Sequence, residues 1–208
     1  MAARASKHPA CIKRDRAALT LIELLLTIAI LGILAAILIP QLSGDLPERL
    51  VAGAQVVATD IDYARSLAVA NNSSYRLIFD TTSNSYYLQH SGSNALLNPL
   101  PRSPFRQNDD PPNQQTTKLS MLPLPEPGVR LVGVVLMQGS LQSTNNVEFS
   151  PLGGTTSTCQ TVIWLSCGSG KLARYVSIQV DPVTGLVTIG PIQSALPTLV
   201  KPVVQVSV

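Results

Sequence analysis

Glu23 is the residue with the most chemistry to explain. It is a carboxylate set in the apolar text "ALTLIELLLTIAILGILAAILIP", residues 18–40. Near the centre of a membrane helix such a charge costs about 2.5–3.5 kcal/mol, and it persists there only with a partner. No Lys, Arg or His lies between Leu19 and Ile39. Either Glu23 is protonated and faces a polar neighbour, or a cation reaches it from elsewhere. A cut between Ala18 and Leu19 would create one such cation, an α-amine four residues from Glu23. In a packed array of helices that amine could meet Glu23 of a neighbouring copy.

Other candidates carry less. Cys159 and Cys167 flank "TVIWLS", and in an oxidising compartment a pair of cysteines suggests a disulfide. An extended step of that length spans about 26 Å, so a bridge requires the strand to be short or folded back; two separate thiols are the alternative. His90 is the one histidine beyond the first eighteen residues, too few for a zinc site or a Ser/His/Asp arrangement. "CGSGKL", residues 167–172, has Leu165 where a phosphate loop needs its first Gly, and Leu172 where it needs Ser or Thr. It reads as a turn between two strands. Asp60 and Asp62 are two apart and do not share a helix face, so they read as solvated surface charge. The expectation is a non-enzyme with no catalytic residues, no metal, no cofactor and no small-molecule substrate.

These residues need elements to hold them. Leu19 to Ile39 would form a helix about 31 Å long, enough to span a hydrocarbon core of about 30 Å. Arg4, Lys7, Lys13, Arg14 and Arg16, against Asp15 alone, give the first eighteen residues a charge of +4 in a chain of +3. Such a flank keeps residues 1–18 in the cytoplasm and sends the rest across the inner membrane. No small-x-small cleavage site follows the span closely, which argues against a secretory signal peptide. The remainder carries −1, with Arg and Lys dispersed. That speaks against a strong DNA-binding patch.

Beyond Pro40, which can kink a helix, apolar residues recur at Leu50, Ala54, Val57, Ile61, Ala64 and Ala68. Steps of three and four predict one stripe of an amphipathic helix over 40–72. "YRLIFD" and "YYLQH" predict a β-hairpin, and five further strand patterns follow at 129–137, 146–150, 161–166, 173–180 and 186–189. Asp181–Gly185 is the turn between the last two. Eight of the sixteen prolines fall between Pro99 and Pro127, so 91–127 reads as a long mobile loop. The expected fold class is α+β: a long N-terminal helix, kinked near Pro40, packed on a C-terminal antiparallel β-domain over 73–208.

The block around Glu23 resembles the class III signal of type IV pilins and pseudopilins. In that family a prepilin peptidase cuts after a small residue, usually Gly, before an "FTLIE" block, and the exposed amine is methylated. The resemblance places the cut between Ala18 and Leu19, the methyl group on Leu19, an assembly contact at Glu23 and the helix-disrupting proline at Pro40. Ala18 stands in for Gly and Leu19 for Phe. The body resembles the H-type minor pseudopilins of type II secretion and the FimT-like minor pilins. Arg65, Phe149, Pro151, Gly153, Arg174, Thr184 and Gly185 fit their pattern. The resemblance implies a minor pseudopilin whose leader, 1–18, is removed and which joins other pilin-like subunits in a periplasmic filament. The alternatives are a minor type IV pilin acting in pilus biogenesis or DNA uptake, and an unprocessed, single-pass anchored binding domain.

Overall fold

The computed structural model describes residues 20–42, 46–101, 109–124, 126 and 128–196, with the side chains of the first helix as far as Leu34. The chain divides between Ser43 and Gly44 into two units. The first contributes helix α1 (Leu21–Leu42). Its first turn is closed by the Thr20 carbonyl, which accepts the amides of Glu23 and Leu24 at 3.1 Å. Every described side chain of α1 is exposed, and all but Glu23 and Thr27 are apolar or Gly. The helix runs on through Pro40 to Leu42. Among the described residues no helix is long and apolar enough to cross a membrane; the span expected over 19–39 reaches past both ends of the described side chains.

The second unit opens with α2 (Leu46–Ala70). All six residues of the expected stripe are fully buried, joined by Gly53 and Leu67. Nine strands follow: β1 (Tyr75–Asp80), β2 (Ser85–His90), β3 (Gln114–Lys118), β4 (Val129–Gln138), β5 (Ser140–Thr144), β6 (Asn146–Phe149), β7 (Gln160–Cys167), β8 (Arg174–Val180) and β9 (Val187–Ile189). They form two antiparallel sheets, ordered β3-β2-β1-β6 and β5-β4-β7-β8-β9. Helix α2 packs on both, so its stripe joins Leu77, Phe149, Ile163, Leu165 and Ile178 in one core. On the opposite face of the five-stranded sheet, Val135, Val162 and Trp164 form a smaller cluster that Leu196 packs against. The architecture is α+β, as expected.

Three local differences stand out. The 91–127 segment is not loop throughout, because β3 pairs with β2 from Gln89↔Gln114 to Ser85↔Lys118. Its text, "QQTTK", has no apolar alternation; its strand state comes from backbone pairing along the edge of β2. Strand β5, "SLQST", is mostly polar too, with Leu141 its one apolar residue, and no strand pattern marks it in the sequence. Cys159 and Cys167 are not bridged, since β7 runs between them without folding back. Burial pushes the Cys167 thiol up from its ordinary range.

Candidate assembly and docking sites

Glu23 occupies the first turn of α1, where the helix dipole favours a carboxylate. It is exposed among Leu21, Ile22, Leu24 and Leu25, each at least 52% exposed. Thr27 is the other polar side chain of this stretch, and its hydroxyl donates back to the Leu24 carbonyl at 2.8 Å, leaving Glu23 as the charge on this face. Ala18 and Leu19 lie outside the described residues. Pro40 lies inside α1, with its side chain also outside them.

A second constellation gathers at the C-terminal end of α2. The Arg65 side chain donates through Nε to the Gly153 carbonyl at 3.1 Å. Gly153 sits in the turn after β6 with φ +86°, its amide on the Ser150 carbonyl. The neighbouring turn, 181–185, closes when the Gly185 amide donates to the Asp181 carbonyl at 2.9 Å. The Asp181 carboxylate accepts the amides of Val183 and Thr184 and the Thr184 hydroxyl, which holds it below the usual carboxylate range. The two turns then lock: the Thr155 amide reaches the Pro182 carbonyl at 2.9 Å. A Cβ on Gly185 would lie 2.1 Å from the Gly153 oxygen and 3.0 Å from Arg65 Cδ. Glycine is therefore required there by space as well as by φ. Arg65, Phe149, Pro151, Gly153, Thr184 and Gly185 are thus brought to one end of the domain. Arg174 is not; it begins β8 at the other end, with its guanidinium on the Ala173 carbonyl at 3.0 Å.

His90 is buried, and this network was not foreseen. One ring nitrogen, Nε2, lies 2.7 Å from the Ser73 hydroxyl and the other, Nδ1, 2.9 Å from the Asn98 amide oxygen. The order Ser–His–Asn has the connectivity of a nucleophilic relay. Space rules that chemistry out at this site. Ser73 and His90 are each 8% exposed, and the Gly92 backbone covers the hydroxyl so closely that a Cβ there would sit 2.1 Å from it. The network ties the start of β1 to the end of β2.

Asp60 corrects the sequence reading. Asp62 is exposed, but Asp60 is half-buried and accepts the Tyr86 phenol at 2.7 Å and the Thr117 hydroxyl at 3.0 Å on its Oδ2. Burial raises its pKa in spite of those two donors. It lines a groove of about 410 Å³ between the flank of α2 and the segment 116–122.

Residues 13–39 match the prokaryotic N-terminal methylation motif. Residues 53–184, more than half of the chain, match the type II transport protein GspH family model. The chain belongs to the GspH family. It is accordingly a member of the pilin and pseudopilin superfamily, a minor pseudopilin or minor pilin. No curated protein is detectably similar in sequence. Among solved structures, the chain is similar to the type IV minor pilin FimU of Pseudomonas aeruginosa PAO1 in two crystal forms. One shows 14% identity and a TM-score of 0.42 over 69% of this chain and 90% of that one. The other shows 13% and 0.41 over 68% and 93%. The GspH match runs from α2 to Thr184 and so takes in Arg65, Gly153 and the 181–185 turn as far as Thr184, while the methylation motif takes in Ala18, Leu19 and Glu23.

Proposed function

We propose that the chain is a minor pseudopilin, a structural subunit of the periplasmic pseudopilus of a type II protein secretion system. Residues 1–18 form a cytoplasmic leader that prepilin peptidase removes between Ala18 and Leu19, and Leu19 becomes the methylated N-terminus. Residues 19–39 hold the subunit in the inner membrane, 40–72 carry the amphipathic helix beyond it with Pro40 at the kink, and 73–208 form the periplasmic domain. Subunits then associate helix to helix with other pseudopilins. The observation that carries this reading is Glu23, a lone carboxylate on an apolar helix, four residues after Leu19. A charge so placed calls for a partner, and the Leu19 α-amine of the adjacent subunit exists only after cleavage.

Co-expression with a prepilin peptidase tests this. The protein should lose its first eighteen residues and gain a methyl group on Leu19 by mass spectrometry; an intact N-terminus would overturn the proposal. Glu23→Ala should leave membrane insertion intact and abolish incorporation into filaments. Deleting the chain should block export of secreted proteins and leave surface pili unchanged, which separates a secretion subunit from a pilus subunit.

A further inference from the structure

The groove beside Asp60 has two properties that seldom coincide. Its walls are apolar: Ala52 and Val56 from α2 face Met121 and Leu122 from the segment after β3. Along it lies a half-buried carboxylate whose two donors, Tyr86 and Thr117, both bond the same oxygen, Oδ2. Among the described residues no hydrogen bond reaches Asp60 Oδ1. The nearest candidate cation on the groove, Lys118, is exposed and makes no ion pair with Asp60; Arg76–Glu148 is the ion pair among the described residues. Burial without a cation is unfavourable for a carboxylate. A metal ion would need more ligands than this one carboxylate offers, and the described residues hold no group of three metal-ligating side chains.

We propose that this groove receives a lysine or arginine side chain projected by a partner protein. Long basic side chains have an aliphatic stem and a charged head, and the groove is arranged in the same order. The stem lies between Ala52 and Val56 on one side and Met121 and Leu122 on the other, and the head donates to Asp60. Tyr86 and Thr117 position the carboxylate from beneath. Groove volumes in this range suit small, partly apolar groups. The proposal stands apart from the reading of the chain as a secretion subunit, since it concerns only the folded domain and applies equally to any protein partner.

The test uses the full chain in detergent with methyl-labelled methionine, in which Met121 reports on the groove and Met137, exposed on β4, serves as control. Three blocked single amino acids, N-acetyl N-methylamides of lysine, arginine and norleucine, are titrated in. Lysine or arginine should shift the Met121 methyl saturably and leave Met137 unmoved, and comparison of the two shows which head is preferred. Norleucine, an apolar stem without the charge, should bind roughly tenfold more weakly, the scale of one charged hydrogen bond. Asp60→Asn keeps an acceptor for Tyr86 and Thr117, so it should melt like the parent and lose a similar factor. Lys118→Ala removes a like charge from the groove and should strengthen binding of the cationic probes. Equal binding of norleucine and lysine would overturn the proposal. So would unchanged binding by Asp60→Asn, weaker binding by Lys118→Ala, or no movement of Met121 with any probe.

Discussion

The two helices are of similar length, 22 residues in α1 and 25 in α2, and they use apolar residues in opposite ways. In α2 the apolar side chains recur every three or four positions and are buried on the chain's own sheets, with polar residues between them. In α1 they surround the axis, and every described one is exposed. A helix that is apolar all round is covered by lipid or by other helices. The burial that stabilises the domain is therefore its own, whereas the described apolar side chains of α1 are left exposed. A change on the buried stripe of α2 should therefore cost stability, and a change on the exposed face of α1 should not.

The sharpest way to break that contrast is a matched pair of truncations. Ile61 is fully buried in α2 and Ile28 is 58% exposed in α1. Ile61→Ala should destabilise the domain by about 2–5 kcal/mol, the range for deleting a buried branched side chain. Ile28→Ala should leave the same denaturant midpoint within about 0.5 kcal/mol. Equal losses from both would mean that α1 is part of the domain's own core, and the division of labour between the helices would fail.

A smaller effect is expected where α2 ends. The Arg65 constellation depends on close approach, not on apolar burial, and two glycines separate the contributions. Gly185 and Gly170 have nearly the same positive φ, 65° and 59°. A Cβ on Gly185 would run into the Gly153 carbonyl, whereas Gly170 has nothing within 4 Å. Gly170→Ala should cost about 1 kcal/mol for the left-handed backbone alone. Gly185→Ala should cost about 2–3 kcal/mol, because the two turns must also part. Thermal melts of the two variants measure the difference directly. Similar melting points would show that the locked turns contribute nothing beyond their own backbone geometry.

What could be read in the sequence follows from the range of the interactions. The α2 stripe was legible because helix periodicity is a local pattern, and Asp181–Gly185 because its turn chemistry is carried by neighbouring residues. Arg65, Gly153 and Gly185 were legible as members of a family pattern, but their mutual contact was not, since it joins positions about 30–120 residues apart in the chain. Asp60 failed for the same reason. The rule that residues two apart do not face each other describes the helix alone, and the groups that enclose Asp60, Tyr86 and Thr117, come from two strands. Strand β3 was invisible because none of its residues is apolar, and the His90 network because Ser73 and Asn98 are ordinary polar residues until the fold places them against the ring. The cysteine pair suggested a bridge that the straight course of β7 prevents.

The smallest expected effect is also the most specific, because two aspartates should respond to pH in opposite directions. Burial raises the pKa of Asp60 above its ordinary value in the folded domain. The fold therefore binds that proton more tightly than the unfolded chain does, and ionising Asp60 opposes folding. Its contribution is fully present below the ordinary carboxylate pKa and is lost as pH rises through the raised one. Asp181 is the reverse: hydrogen bonds from Thr184 and Val183 lower its pKa, so its contribution is present at neutral pH and is lost as pH falls through the lowered value. Asp60→Asn should then melt at or slightly above the parent at pH 7, with the difference shrinking toward pH 4. Asp181→Asn should melt below the parent at pH 7, with its deficit shrinking at lower pH. Melting temperatures of the three proteins across that range decide it, and parallel profiles for the two variants would sink the assignment. Asp60 is a charge on the flank of α2 beside a groove, whereas the uncharged stripe on the buried face of the same helix serves the fold.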